Sequence, residues 1–254
     1  MLNSNLMETN KRKINICGSV VTVMDKWSKH LNSPRLARIV ADITGDGHLQ
    51  LKGWRGLVSF YSNEPEEIYR INKDFVTLFG INGHVYEDNR KTRKNTQYKI
   101  FFISKDLAKF FQKIGVPPGN KSNAVFEIPE WVQKGSGKIK SGYLRGMYSG
   151  EGYIYSTRQK ENKLRWRIGI EQYKNEKLKE VGKNFMEQLR AMLSELGIKS
   201  SPPRIDGSNI RKDGTKSIGI RFDIEKSSFG NFYKHVGFDS RKKQEKLILA
   251  LRDA

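Results

Sequence analysis

Two acids, Asp46 and Glu151, stand out by their setting. Asp46 lies between Gly45 and Gly47, and Glu151 between Gly150 and Gly152, an offset of 105 residues (151 − 46). Each closes a stretch in which small residues recur every fourth position: Ala37, Ala41 and Gly45 before the first acid, Gly142, Gly146 and Gly150 before the second. Both stretches have helical character, and a glycine inside a helix costs about 1 kcal/mol relative to alanine. Three in about two turns imply a compensating gain, the close approach of another backbone, which small residues four apart permit. If the two faces pack together, Asp46 and Glu151 meet at the C-termini of both helices. Free carbonyls and the helix dipoles add negative character there. Carboxylates with backbone carbonyls are the ligands a hard cation such as Mg²⁺ prefers. A lone Asp-Gly after a helix is often only a turn, so the duplication carries the functional reading. An EF-hand loop starting at Asp42 is excluded, because its twelfth position is Gly53 and not a glutamate.

The segments IVADITGDG and LRGMYSGEG resemble the paired signature helices of LAGLIDADG homing endonucleases, in the single-chain form that carries both copies. The small residues, the penultimate acid and the final glycine carry the likeness, and matching flanks extend it over roughly residues 34 to 250. The resemblance implies hydrolysis of both strands of a duplex across a minor groove, leaving short 3′ overhangs, with one active site per half. It implies that Asp46 and Glu151 hold Mg²⁺ or Mn²⁺ together with the Gly45 and Gly150 carbonyls, the metal polarising the phosphate and activating water. Lys105 and Lys226 match the basic position that organises solvent near each scissile phosphate in that family; plain surface lysines at helix starts are the competing reading. The family's polar residue on the second strand falls near Tyr61 and near Glu171 or Gln172, where the register slips, so it is assigned no role.

Composition agrees with a polyanionic partner. Lys and Arg number 47 against 27 Asp and Glu, a net charge of +20 with a pI near 9.9, which is the electrostatic footprint of a nucleic-acid binder. The basic residues are spread through the chain and not gathered on an amphipathic helix or beside a lipidation motif, which disfavours a membrane surface. The start of the chain lacks a signal-peptide apolar region, and no segment approaches eighteen apolar residues. A soluble protein of the prokaryotic cytoplasm and nucleoid, or of an organelle, is expected. Cys17 is the single cysteine, so neither an intramolecular disulfide nor a cysteine zinc site can form. An intein would need a nucleophile at its amino end and an asparagine at its carboxyl end; Met1 and Asp253-Ala254 are read instead as those of a free-standing protein, and a monomeric, intron-encoded one is expected.

The elements that must position the acids occur twice. Length and repeat predict an arm over 1–33, a first half over 34–118, a linker over 119–140 and a second half over 141–254. Each half reads αββαββα, giving an α+β fold of two pseudo-symmetric halves packed through the signature helices, with saddle-shaped antiparallel sheets facing DNA. In the arm, Ser19–Val23 is the one β-like run. Ser33 and Pro34 open the first signature helix. Period-two runs follow at 48–52 and 57–61, a helix at 65–79, strands at 84–87 and 98–103, and a helix from 104. The second half repeats this through Trp166–Ile170, a helix bearing Phe185 and Leu189, the strand 217–224 and a closing helix at 241–251.

The outward strand faces supply the candidates for contact with double-stranded DNA at a long asymmetric site: His48, Gln50, Lys52 and Arg55, then Tyr153, Tyr155, Arg158, Arg165, Arg167 and Arg221. Loop cations Arg90, Arg93, Lys94, Arg211 and Lys212 are read as phosphate contacts. The rival readings are an intron RNA maturase or a cleavage-inactive DNA binder on the same fold, with a scaffold role a third. An acid retained in both copies argues against decay of the site.

Overall fold

Pro34, whose fixed φ suits a first helical turn, starts helix α1 (Pro34–Thr44), and the Gly45 amide closes it on the Ala41 carbonyl at 2.8 Å. In the computed structural model, which describes all residues except 1–10, 17–18, 25–26, 28, 53–54, 90–95, 160–162 and 254, α1 packs along α5 (Gly137–Gly150). The glycine stripe is what lets the two backbones touch. A Cβ built on Gly142 would sit 2.3 Å from the Pro34 carbonyl oxygen, and one on Gly146 2.6 Å from that of Arg38 and 2.8 Å from the Ala41 Cβ. Even alanine does not fit. The opposite faces of both helices are apolar and fully buried, with Leu36, Ile39 and Val40 on one and Tyr143, Leu144 and Met147 on the other.

Each half hangs one four-stranded antiparallel sheet on this pair. The first has the order β3 (His48–Lys52), β4 (Arg55–Ser62), β6 (Gln97–Ile103), β5 (His84–Asp88); the second β7 (Gly152–Arg158), β8 (Leu164–Asn175), β10 (Lys216–Asp223), β9 (Arg204–Ile210). The two orders are the same when each half is counted from its signature helix. Alternation decides the faces. Leu49, Val58, Phe60, Ile100 and Phe102 point inward against α2 (Pro65–Phe79) and α3 (Lys105–Lys113), where Phe75 stacks on Phe102 with centroids 3.8 Å apart. In the second half Ile154, Ile168, Ile170, Ile220 and Phe222 do the same beneath α6 (Lys179–Glu195) and α7 (Phe229–His235). Helix α8 (Arg241–Arg252) closes the chain against β7, its first turn capped by Ser240.

Three elements differ from expectation. The arm forms a hairpin of β1 (Lys11–Ile16) and β2 (Ser19–Met24), with β2 against α3, where one β-like run had been read. Strand β9 was not foreseen. Its residues are largely exposed, Gly207 takes φ +80°, and the pairing shifts between Ile218 and Ile220, so no apolar alternation marks it. The stretch read as a linker carries a helical turn at Lys121–Asn123, helix α4 (Glu130–Gln133) and the first turn of α5. Among the described residues no helix is long and apolar enough to cross a membrane.

Candidate active site at the seam

Because α1 and α5 run side by side, their C-termini deliver the acids reciprocally. The Asp46 carboxylate lies against Gly150, 3.0 Å from where a Cβ would be, and Glu151 lies against Gly45, its Cγ 3.4 Å from the equivalent point. Glu151 is the more enclosed, and burial, then the neighbouring Asp46, pushes its carboxyl up to about 7 even though Lys121 and Lys243 pull the other way.

Each helix end is also held by an ammonium group. Lys121 Nζ donates to the carbonyl oxygens of Ile43, at 2.7 Å, and of Gly45 and Gly47. Lys243 Nζ donates to those of Ser149 and Gly150, at 2.6 and 3.0 Å. The second contact thus repeats the first across the pseudo-dyad, and a cation at a helix C-terminus is favoured by the dipole and by the unpaired carbonyls. Burial lowers both lysines, Lys121 to about 8, while the two acids raise them. Lys174, fully buried on β8, donates to the carbonyls of Lys121 at 2.8 Å and Ala124 at 2.9 Å, and its Nζ lies 3.7 Å from the centre of the Phe126 ring. A strand of the second half therefore fixes the backbone of the segment that brings an ammonium group to the end of α1.

The lysines expected at the site, Lys105 and Lys226, lie elsewhere. Lys105 starts α3 beside Gly56, whose strand partner is Leu51, at the far end of the β3–β4 hairpin from Asp46. Lys226 is exposed on a turn that follows Asp223 and Ile224, which lie level with Gly169 and Ile168, whereas Glu151 is level with Glu171. Both begin helices that pack beneath a sheet, and a helix start of that kind leads away from the seam. No spacing rule tied to the acids would have found Lys121, Lys174 or Lys243, since each arrives from a separate element.

The outward sheet faces follow the predicted alternation. His48, Ser59, Phe101 and His84 form one cross-strand row, and Tyr61, Lys99 and Tyr86 another, with Lys99 Nζ 5.2 Å from the centre of the Tyr61 ring. Burial, then Lys121 and Lys99, lowers the His48 imidazole. Gln50 and Arg55 line a cavity of about 450 Å³ with Lys99 and Phe101, and Lys52 belongs to the same strand. Lys99 and Phe101 carry no such signal in the sequence, where 98–103 reads only as a pairing strand.

In the second sheet Tyr153, Tyr155, Arg165, Arg167 and Arg221 share the outer face. Tyr153 donates to Asp223 at 2.5 Å, as does Arg204, and Arg221 pairs with Asp206. Arg158 has the phase of Ile154 and is exposed only because it ends the strand, so it does not join that row. Arg211 and Lys212 lie at the β9–β10 turn. Arg90, Arg93 and Lys94 fall outside the described residues.

Among the described residues no three or more His, Cys, Asp or Glu side chains gather into a metal-binding group. The seam offers two carboxylates and two carbonyl-lined helix ends. Ammonium groups already rest on the Gly45 and Gly150 oxygens, and the Asp46 and Glu151 carboxyls lie beside those same glycines, so the oxygen donors gathered here fit a hard cation.

Fold and site together define a duplicated α+β protein with an acid at the end of each of two packed helices. The chain belongs to the LAGLIDADG-like domain family, whose model matches residues 33–115 and 138–237. It is 27% identical over 225 residues to the tRNA-splicing ligase RtcB of Pyrococcus furiosus, covering 84% of this chain but 22% of that protein. It is also 25% identical over 218 residues to the glutamine–fructose-6-phosphate aminotransferase of Methanocaldococcus jannaschii, covering 85% of this chain and 17% of the relative. The chain thus spans about a fifth of these curated relatives. The fold is similar to that of a variant of I-DmoI, crystallised with its nicked target DNA and manganese (TM-score 0.51, 16% identity, 81% of this chain and 96% of that one). It is also similar to that of the homing endonuclease I-WcaI bound to its DNA recognition sequence (TM-score 0.51, 14% identity, 84% and 85%).

Proposed function

We propose that the protein is a site-specific endonuclease that hydrolyses both strands of a DNA duplex with Mg²⁺ or Mn²⁺, an intron-encoded homing enzyme acting as a monomer. The observation that supports this most is the reciprocal packing of Asp46 and Glu151 at the seam, each helix end bearing its own ammonium group. Neither the ligase nor the aminotransferase activity is transferred, because a segment like this one lies within relatives of unrelated chemistry and makes up only a fifth of each.

In this reading the outer sheet faces seat the duplex, with Lys99, Arg165 and Arg167 meeting phosphates while His48, Gln50 and Tyr155 reach base edges. The two faces carry different side chains, which suits an asymmetric target. Asp46, Glu151 and the Gly45 and Gly150 carbonyls would hold the cation. When bound, it would polarise a scissile phosphate and lower the pKa of a water. Lys121 and Lys243 place positive charge beside each phosphate and keep a proton donor next to the attacked group. Lys174 holds Lys121 in place. By the same reading residues 1–33 are an arm, 34–118 and 141–254 the halves, and 119–140 the connection that delivers Lys121.

The test is incubation with a duplex spanning the intron-free insertion site, in Mg²⁺, Mn²⁺ or EDTA. Metal-dependent double-strand scission is expected. No scission of that duplex, with preferential binding of the structured intron RNA, would replace the proposal with the maturase reading.

A further inference from the structure

The signature helices have a second end. Where α1 and α5 begin, a cavity of about 890 Å³ opens between the two halves. Helix α1 is 11 residues long, so at 1.5 Å per residue this cavity lies roughly 16 Å from the acids, with the whole seam between them. A duplex seated on the sheets cannot reach it.

Its lining is rich in donors and poor in acceptors. Arg35 and Arg38 come from α1, Lys138 and Arg145 from α5, Lys234 and His235 from the end of α7, and Asp74 is the one acid lining it. Asp74 pairs with Arg35 at 3.2 Å, and Arg38 is neutralised by Asp239 at 2.8 Å. Among the described residues Arg145 meets no acid; its Nε donates to the neutral Val236 carbonyl at 2.6 Å, which leaves its terminal nitrogens for a ligand. Among the described residues no acid pairs with Lys138 or Lys234. Ser136 and Ser141 add hydroxyls, and Ser136 precedes α5 without its side chain capping it, which leaves first-turn amides open.

Packing explains none of this. Lys138 and Lys234 are exposed and Arg145 is half-buried, and three cations from two elements converge on one cavity with no acid partner among the described residues. A ligand with several negatively charged oxygens satisfies the arrangement, and a guanidinium with two ammonium groups and hydroxyls matches phosphate in charge and geometry. The volume exceeds that of a bare ion and suits a nucleotide-sized group.

We propose that this cavity binds the phosphate groups of a nucleotide or of a single nucleic-acid strand, at a site separate from the duplex-binding sheets. The inference does not rest on the endonuclease reading.

The test uses the full chain and the double variant Lys138→Gln/Lys234→Gln, which alters two exposed side chains and is expected to melt with the wild type. Calorimetry with pyrophosphate and with ATP, and fluorescence anisotropy with a labelled 12-nucleotide single strand, give the affinities. The double variant is expected to lose about tenfold for whichever probes bind, the loss of two charge-assisted contacts, while an Arg165→Gln/Arg167→Gln variant keeps them. Tighter binding of ATP than of the strand identifies a nucleotide ligand, and the reverse identifies a strand. Absence of binding by all three probes, or equal losses in both double variants, would overturn the proposal.

Discussion

Lys174 is a buried charge that belongs to the second half by sequence and to the connection between the halves by contact. Among the described residues no carboxylate pairs with it, and burial, then Lys121, lowers its ammonium to about 8 from the usual 10.5. A base with a depressed folded pKa costs stability while both states are protonated and stops costing it as pH rises from the folded to the unfolded value. Relative to Lys174→Met, the wild type should therefore gain stability between about pH 8 and 10.5, by at most about 3 kcal/mol. Thermal melts of both proteins across that window check this, and a constant difference would show that burial does not depress the Lys174 ammonium. If Lys174 acts by positioning Lys121, Lys174→Met should also slow scission while leaving duplex affinity unchanged, and Lys174→Arg should restore part of the rate. At this scale the acids and their glycines were legible, because the repeat marks them. The three lysines were not, since Lys121, Lys174 and Lys243 meet the seam only after a turn, a strand and a helix have been folded around it.

At the scale of elements, the pairing of α1 with α5 rests on missing side chains. Gly146→Leu must force the backbones apart, and overpacking of this kind costs about 3 kcal/mol or more where the contact is backbone. Gly137→Ala is the control: its Cβ would meet only Leu196, at 3.5 Å, an ordinary contact at the first residue of α5, so the melting temperature should hold or rise slightly. Denaturation of both variants decides the point. A Gly146→Leu protein that melts with the wild type would mean that the seam is not packed through this face. The elements themselves were largely readable, since α2 was expected at the bounds it has and the runs at 48–52, 57–61 and 98–103 fall within β3, β4 and β6. Strand β9 escaped because an edge strand with a left-handed glycine and a register shift has no apolar rhythm to read. The turn at Lys121–Asn123 escaped because its purpose, to carry an ammonium group to the seam, is not a local property.

The whole molecule is a charge of +20 laid on a pseudo-twofold frame, and the frame was more legible than the distribution of the charge. Cations went both to the outer sheet faces and to the cavity at the far end of the seam, a division that depends on which helix ends come together. If the sheets carry the duplex, log K should fall linearly with log salt at a slope of roughly 0.9 per phosphate neutralised. Arg165→Gln/Arg167→Gln should lower that slope by about two contacts on the same principle. Titrations at several salt concentrations give both slopes, and an unchanged slope in the variant would move the duplex off the second sheet.

If Asp46 and Glu151 form one metal-dependent site, binding and strand scission followed separately for the wild type, Asp46→Asn and Glu151→Gln, in Mg²⁺, Ca²⁺ and EDTA, will come apart. Each substitution keeps shape and removes a charge that its neighbour opposes, so each variant should fold as well as the wild type or better without cation. Duplex binding should persist in all three proteins. Scission of both strands should collapse in each single variant, because the two carboxylates lie against each other's glycines at one seam. Glu151→Gln cleaving at the wild-type rate in Mg²⁺ would contradict the account.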